Sequence, residues 1–216
     1  MCKISCILHS QSRLFFTKKN IASDFLATFI SICLICFENT VKAIKYAIKN
    51  GADIINYSGG GNEPDEDEME EIAKSYKKNM FLVAAAGNDG KDTDELPYFP
   101  ASYSFMSVIG VANMNKNGDL AYSSSYGREI EFAAPGLGIV SAKPGGRYAS
   151  MSGTSQSTAF VTGALAFLLS QQPGPIYDKV DQVRAKFSKG FLPLKGNENH
   201  NKLEWGKLYL PNLLNK

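Results

Sequence analysis

The sequence predicts an α/β fold with a doubly wound, mostly parallel sheet, and three features point to it. The segment 80–86 is continuously apolar, as is typical of strands that are buried on both faces, and 53–58 reads as a second buried strand. Each follows a segment with helical spacing of its apolar residues and each ends in a glycine turn, as in repeated βαβ units. A chain of 216 residues with 44% hydrophobic content can bury a sizeable core in one domain.

The first readable helix lies before the 53–58 strand. Its apolar residues recur at helical spacing from Val41 to Ile48, with Asn39 and Thr40 as candidate N-terminal caps and Asn50-Gly51 as the stop. A second helix is predicted to begin at Pro64. Six acidic residues occupy its first turns and three lysines crowd its end, which matches the helix dipole and favours a solvated face over a metal site.

The remaining elements follow the same reading. A core strand is predicted over Met106–Ala112 with a turn at Asn117-Gly118, and Pro144-Gly145-Gly146 indicates a hairpin. A shorter helix is predicted over Tyr177–Ser188.

The chain is organised around the segment from Tyr148 to Pro173. From Ala159 to Leu169 it is apolar on nearly every face, which predicts a helix inside the core, and it is too short to span a bilayer. Its start is rich in hydroxyl groups and glycine, where the free N–H groups of a helix gather. Ser155 is therefore a candidate nucleophile, because these donors and the helix dipole would stabilise an oxyanion. The alternative is a serine-rich cap without chemistry.

Two glycine-rich turns fall at the ends of the predicted strands, at Ser58-Gly59-Gly60 and Ala86-Gly87-Asn88. Ligands collect at the carboxyl ends of parallel strands, so these turns are candidate binding segments. Taken alone, Asn88 is better explained as an ordinary turn residue.

Several motifs occur in one order along residues 38–214. Gly153-Thr154-Ser155 followed by Val161-Thr162-Gly163-Ala164 resembles the nucleophile signature of subtilisin-like serine peptidases, with Ser157 and Ala159 as departures from it. Asn56–Gly60 and Val83–Asn88 resemble that family's substrate-pairing strand and its Ala-Ala-Gly-Asn segment. Further matches are Tyr98-Phe99-Pro100-Ala101, Val108-Ile109-Gly110-Val111, Ser123–Gly127 and Phe132–Gly136.

The resemblance implies a subtilisin-like, three-layer α/β/α domain that is incomplete at its N-terminal side. It implies a serine endopeptidase lineage, with Ser155 as nucleophile and Asn88 in the oxyanion hole. It also implies that Ser58, Gly59, Gly60, Ala86 and Gly87 bind a polypeptide substrate, with Ser58–Gly60 walling the first specificity pocket. No cofactor or metal site is evident from the residues, and calcium is implied by the resemblance alone.

The base that such a serine needs is missing from the matching region. A serine hydroxyl attacks only when a base takes its proton, and the family's Asp-turn and His-helix motifs do not occur in this chain. The two histidines, His9 and His200, lack the family's sequence context. We therefore expect little or no activity from this chain alone, as the downstream two-thirds of a peptidase.

The alternatives are an active enzyme with a diverged base and an inactive relative that binds extended peptides. An α/β-hydrolase is disfavoured, since Gly153–Ser157 lacks the second glycine of Gly-x-Ser-x-Gly.

Residues 1–37 differ from the rest, and we predict a boundary between them and a partial peptidase domain at 38–216. Residues 21–37 are apolar after a basic stretch, which leaves three interpretations: a secretory segment, a marginal membrane segment, or a segment that packs on the domain or is foreign to it. We favour the third, because no cleavage site follows. The resemblance implies export or membrane association, and the compartment stays open.

The cysteines and the net charge bear on two further possibilities, a zinc site and a nucleic-acid partner. All four cysteines lie in this first part, at Cys2, Cys6, Cys33 and Cys36, and are expected to be buried thiols rather than a zinc site. A net charge of +2 without a basic patch argues against nucleic acid as a partner. Asp92 and Asp94 fall in a polar loop without a further ligand pattern. No oligomeric state is indicated.

Overall fold

The computed structural model describes residues 15–16, 29–32, 37–143, 145–171, 180–194, 203 and 206–214. Its first elements are β1 (Phe15–Phe16), β2 (Phe29–Ile32), α1 (Phe37–Lys49), β3 (Ile54–Tyr57), α2 (Glu66–Tyr76), β4 (Phe81–Ala85) and β5 (Val108–Met114). They are followed by β6 (Ile130–Pro135), β7 (Ile139–Lys143), β8 (Arg147–Met151), α3 (Thr154–Ser170), α4 (Val180–Ser188), β9 (Phe191–Leu192), β10 (Gly206–Leu208) and α5 (Leu210–Leu214).

Among the residues that the structure describes, eight strands form one sheet in the order β1-β2-β3-β4-β5-β6-β10-β9. All neighbours from β2 to β10 pair in parallel, and only β1 and β9 run antiparallel to their partners. Strands β7 and β8 form a separate hairpin at the predicted Gly145-Gly146 turn. The predicted mostly parallel α/β sheet is therefore confirmed.

Helices cover both faces of this sheet. Successive strand residues point to opposite sides, so each strand contributes apolar side chains to both faces. Along β3, Ile55 packs in the cluster that contains the α1 and α2 side chains, whereas Ile54 packs in the cluster of α3 and α4. The same alternation holds for Leu82 and Val83 in β4. These two cores give the three layers that were expected.

The strand predicted over Met106–Ala112 begins two residues later and runs on to Met114. Met106 is exposed, and the N–H of Val108 closes a turn by donating to the Phe105 carbonyl, so the ladder starts only at Val108. Apolar composition alone did not separate this turn from the strand.

The edge beside β3 is filled from the opening part of the chain. Strand β2 pairs in parallel with all four residues of β3, and β1 pairs with β2. The sequence predicts a sheet that is short on this side, with an exposed strand edge, unless residues 1–37 fill the gap, and β1 and β2 do fill it. The predicted domain boundary at residue 37 stays a prediction.

The acidic residues of helix α2 do not all lie on the solvated face that the charge run predicted. Asp65 caps this helix, since the Asp65 side chain accepts a hydrogen bond of 2.7 Å from the Glu68 N–H. Glu68 and Glu71, however, are buried. The Tyr57 hydroxyl donates to Glu68 at 2.7 Å, and Lys74 donates to Glu71 at 2.7 Å. These two acids lie on the inner side of the helix, where partners compensate their burial.

Replacing Glu68 by glutamine is expected to remove a pH dependence from the stability of the fold. Burial raises the pKa of Glu68 above its ordinary value of 4.5, and the nearby Asp65 adds to the rise. The contribution of Glu68 to stability is thus fully present below about pH 4.5 and is lost as the pH rises through the raised pKa. Urea titrations from pH 4 to pH 8 should show a flatter profile for Glu68→Gln, whose amide oxygen can still accept from Tyr57. The exposed Glu66→Gln is the control, and an equal flattening in both variants would contradict the assignment.

Helix α3 is buried on one side only. Val161, Leu165 and Leu168 are buried against the sheet, but Phe160 and Phe167 are 44% and 41% exposed. The expectation that this helix is enclosed on every face is therefore wrong. The all-round apolar composition gave no sign of which face would point away from the sheet.

No helix in the described part of the chain is long and apolar enough to cross a membrane. Among the same residues, no three His, Cys, Asp or Glu side chains come close enough together to hold a metal ion. The predictions for the four cysteines, for His9 and for His200 fall outside the described residues.

Candidate active site

Three segments meet at the carboxyl edge of the sheet: the turn after β3, the turn after β4 and the first turn of α3. The Ser155 hydroxyl donates to the Ser58 carbonyl at 3.0 Å, and the Ser58 hydroxyl donates back to the Ser155 carbonyl at 3.2 Å. The structure thus brings together the predicted nucleophile and the predicted substrate-binding turn, which lie 97 residues apart in the chain. Ser155 is partly exposed and so within reach of a ligand.

Asn88 is the cap of helix α3. The residue before this helix, Gly153, has no side chain with which to cap it, and the N–H of Thr154 instead donates to Asn88 Oδ1 at 2.8 Å. The Thr154 hydroxyl donates to the same oxygen at 3.3 Å. Because a backbone N–H needs an acceptor, these contacts define which end of the amide is the oxygen. The Nδ2 group is therefore the donor end of the amide. It lies near the start of the helix, 3.5 Å from the position that a Cβ on Gly153 would take, and no described residue accepts a hydrogen bond from it.

Gly153 allows this approach. Its φ of +154° is one that favours glycine, and a Cβ on it would lie 3.2 Å from Asn88 Oδ1 and 3.1 Å from Gln156 Oε1. The Gly153 N–H donates to the Gly136 carbonyl at 2.9 Å. A Cβ on Gly136 would in turn lie 2.7 Å from the Gly153 carbonyl oxygen. Both glycines are thus required where the turn after β6 packs under the start of α3.

A buried polar chain ties the middle of α3 to the turn after β3. The Thr162 hydroxyl donates to Asn56 Oδ1 at 2.9 Å, and Asn56 Nδ2 donates to the Ser58 hydroxyl at 2.9 Å. That hydroxyl then donates to Ser155, as described above. Sequence reasoning missed this positioning role of Asn56 and Thr162. The available signal was a threonine in an otherwise apolar helix, since a buried hydroxyl needs a partner.

The other predicted substrate-binding residues lie in different environments. Gly60 is exposed and Gly59 is partly exposed, so both remain within reach of a ligand. Gly87 is buried, and its carbonyl accepts from the Ser125 N–H at 3.1 Å. The Ala86 side chain is fully buried in the core cluster of α1 and α2, so only its backbone is available to a ligand.

No base stands beside Ser155 in the described part of the chain. The hydroxyl hydrogen bonds to a backbone carbonyl, which cannot accept the proton in a reaction. The described residues contain no histidine. Among the described residues, the predicted nucleophile and the predicted oxyanion donor thus have no general base beside them.

A polar cavity of about 390 Å³ opens on the β5 side of Asn88. Strand order places it beyond β4, whereas Ser58 lies on the β3 side of Asn88. Its lining residues come from the turn after β4 and from the segment that follows β5: Asn88, Asp89, Gly90, Lys91, Leu120, Ala121, Tyr122, Ser123, Ser124 and Tyr126. Asn88 thus has open space on one side and the Ser58–Gly60 turn on the other.

The chain matches known proteins over most of its length. Residues 34–198 match the profile of the subtilase family. Subtilisin DY of Bacillus licheniformis is 37% identical over 134 residues, which cover 62% of this chain and 48% of the relative. An intracellular serine protease of Paenibacillus polymyxa is 37% identical over 177 residues, which cover 79% and 52%. The chain therefore spans about half the length of these relatives.

Solved structures give the same result. The patellamide maturation protease PatA superposes with a TM-score of 0.73 and 31% identity, over 84% of this chain and 68% of that one. The prenylagaramide maturation protease PagA superposes with a TM-score of 0.71 and 30% identity, over 82% and 66%. With its sheet topology, its motif order and these matches, the chain belongs to the subtilase family of peptidases.

Proposed function

We propose that this chain binds an extended polypeptide across the edge of the sheet, with Ser155 as the nucleophile and Asn88 as the oxyanion donor of a serine endopeptidase site. The observation that carries the proposal is the pair of hydrogen bonds from Thr154 to Asn88 Oδ1. They fix Oδ1 as the capping atom and leave Nδ2 as the donor end of the amide near the start of α3. A donor that is already oriented stabilises developing charge without reorganisation.

The chemistry follows from this arrangement. A peptide carbonyl placed between Ser155 and Asn88 would be attacked by the Ser155 oxygen, forming a carbon–oxygen bond and a tetrahedral oxyanion. Asn88 Nδ2 and the N–H groups at the start of α3 would donate to that oxyanion. Collapse would expel the amine, and water would release the acyl group from Ser155. The substrate backbone would lie along Ser58–Gly60 by strand addition.

The step that limits this chain is proton removal. The Ser155 proton must pass to a base as the bond forms and then to the leaving amine. None of the described residues is placed to accept it, so we expect acylation to be slow in this chain by itself. The subtilase site is then competent in binding and oxyanion stabilisation and deficient in general base catalysis.

A second candidate function is peptide binding without hydrolysis. It is favoured by the hydrogen bond from the Ser155 hydroxyl to the Ser58 carbonyl, which holds the nucleophile on the backbone instead of on a base. The turn after β3 would then serve as a strand-pairing surface alone.

The change of Asn88 to aspartate separates the oxyanion role from the capping role. A carboxylate oxygen can still cap α3 and suits the positive helix end, so we expect an unchanged melting temperature. Loss of the donor should slow covalent capture of Ser155 by a fluorophosphonate about 10²- to 10³-fold. Intact-mass labelling with wild type, Asn88→Asp and Ser155→Ala, with and without added imidazole as a proton acceptor, provides the measurement.

Each result has one reading. Slow labelling of wild type that imidazole accelerates, and that Ser155→Ala abolishes, supports the proposed site. Equal labelling of wild type and Asn88→Asp contradicts the oxyanion role. No labelling of wild type, together with saturable binding of a fluorescent peptide, favours the second candidate.

A further inference from the structure

The space between the turns after β3 and β4 is occupied by the ring of Tyr98. A Cβ on Gly60 would lie 2.5 Å from Tyr98 Cε1, and a Cβ on Gly87 would lie 3.2 Å from Tyr98 Cγ. The ring therefore spans the distance from Gly87 to Gly60, with its hydroxyl end toward Gly60. We call this space, bounded by the two glycines, the slot. Both glycines have positive φ, so larger residues are disfavoured on either wall.

The backbone around Tyr98 is held in place on both sides. The Tyr98 N–H donates to the Ser102 hydroxyl at 3.0 Å, and the Ser102 N–H donates to the Tyr98 carbonyl at 3.0 Å. The next residue, Phe99, exchanges two backbone hydrogen bonds with Gly61, at 2.7 and 2.9 Å. The loop that carries the ring is thus hydrogen-bonded to the turn after β3. Movement of this loop away from the slot would break these bonds.

The phenol is neutral in this environment. Burial raises the pKa of Tyr98, and the Asp89 carboxylate adds to the rise. A neutral hydroxyl at the Gly60 end of the slot offers one donor and two acceptor positions. This hydroxyl can form a hydrogen bond with a small polar side chain. The ring itself leaves no space in the slot for a large apolar side chain.

The position of the slot relative to the site gives it a role, on the condition that the proposed peptidase site is correct. A peptide paired along Ser58–Gly60, with its reacting carbonyl at Asn88, directs the side chain of that residue either into the slot or out to solvent, because strand side chains alternate. The slot lies between these two anchoring segments. The side chain just before the reacting carbonyl is therefore the one that enters it.

We propose that Tyr98 is the specificity-determining residue of this site, and that it restricts the residue before the cleaved bond to small side chains such as glycine, alanine and serine. Leucine, phenylalanine and tyrosine side chains would have to displace a packed ring. The cavity on the other side of Asn88 remains open to the part of the substrate that follows the bond.

The test uses peptide boronic acids, because their boron bonds to a serine oxygen and so fixes the register of the peptide at Ser155. Three tripeptide boronates ending in the alanine, leucine or phenylalanine analogue are titrated into wild type, Tyr98→Phe and Tyr98→Gly. We expect wild type to bind the alanine analogue about 10- to 100-fold more tightly than the phenylalanine analogue. Tyr98→Phe should keep this preference, since the ring remains, and Tyr98→Gly should reverse it.

A second readout does not depend on the chemistry at Ser155. Binding of p-cresol, followed by the shift in melting temperature, should occur in Tyr98→Gly and not in wild type, because the ligand replaces the lost ring. Wild type that binds the phenylalanine analogue as tightly as the alanine analogue overturns the specificity inference and leaves the peptidase proposal standing. Failure of every boronate to bind, while p-cresol still binds Tyr98→Gly, overturns the peptidase proposal instead, and the substrate preference with it.

Discussion

Replacing Phe132 by alanine is expected to lower the free energy of unfolding by about 3 to 5 kcal/mol. Phe132 in β6 is fully buried. Its ring stacks on Phe191 of β9 with centroids 3.8 Å apart, and it meets Phe187 of α4 edge-on at 5.5 Å. Phe187 and Phe191 also contact each other at 5.1 Å. Truncation would leave a cavity where these three elements meet, and the surrounding rings cannot fill it without leaving their rotamers.

Urea titration measures this loss as a fall in the midpoint at constant slope. The matched control is Tyr122→Ala, since this aromatic side chain is 102% exposed and its removal should change stability by less than about 0.5 kcal/mol. Equal midpoints for Phe132→Ala and Tyr122→Ala would contradict the assignment of this aromatic triad as a stabilising contact.

Replacing Arg184 by methionine is expected to cost about 3 to 5 kcal/mol, because it leaves a buried carboxylate without its cation. The Arg184 and Glu131 side chains are only 12% and 4% exposed and form an ion pair. The Arg184 guanidinium also donates to the carbonyls of Met106 and Val108, both at 3.1 Å. Arg184 thus connects α4 with the beginnings of β5 and β6.

The double variant Glu131→Leu with Arg184→Met distinguishes the lost ion pair from lost packing. Apolar replacement of a whole buried pair is often neutral, so the double variant should recover at least half of the loss seen in the single one. Chemical denaturation of wild type, both single variants and the double variant completes the cycle. A double variant that is less stable than Arg184→Met would show that packing around the guanidinium stem dominates.

The sequence allowed the meeting of Ser155, Asn88 and Ser58 to be anticipated, because parallel strands end at one edge of a sheet and a helix start there is recognisable from its hydroxyl groups. The glycines after buried strands supported that step together with the resemblance of these segments to the motifs of subtilisin-like peptidases. Neither showed that Asn88 caps α3. The capping oxygen belongs to a residue 66 positions earlier in the chain, so the sequence next to the helix contains no signal of it.

The position of Tyr98 could not be predicted from the sequence either, because it also depends on a contact between distant segments. It lies in a polar segment that reads as a surface loop, and its path depends on the pairing of Phe99 with Gly61. Such a single bridge has no periodicity to detect. The burial of Glu68 likewise depends on Tyr57 from a neighbouring strand, and the exposure of Phe160 depends on which side of α3 meets the sheet.

Both margins of the large sheet end in strands of two residues, β1 and β9, each antiparallel to the block beside it. Within the described residues, each edge strand offers a second molecule two residues of regular backbone for pairing, which is too few for a stable intermolecular ladder. The long parallel strands that would make adhesive templates are all interior. Among the described residues, the fold thus protects its sheet from polymerising into fibres by keeping its outermost strands short.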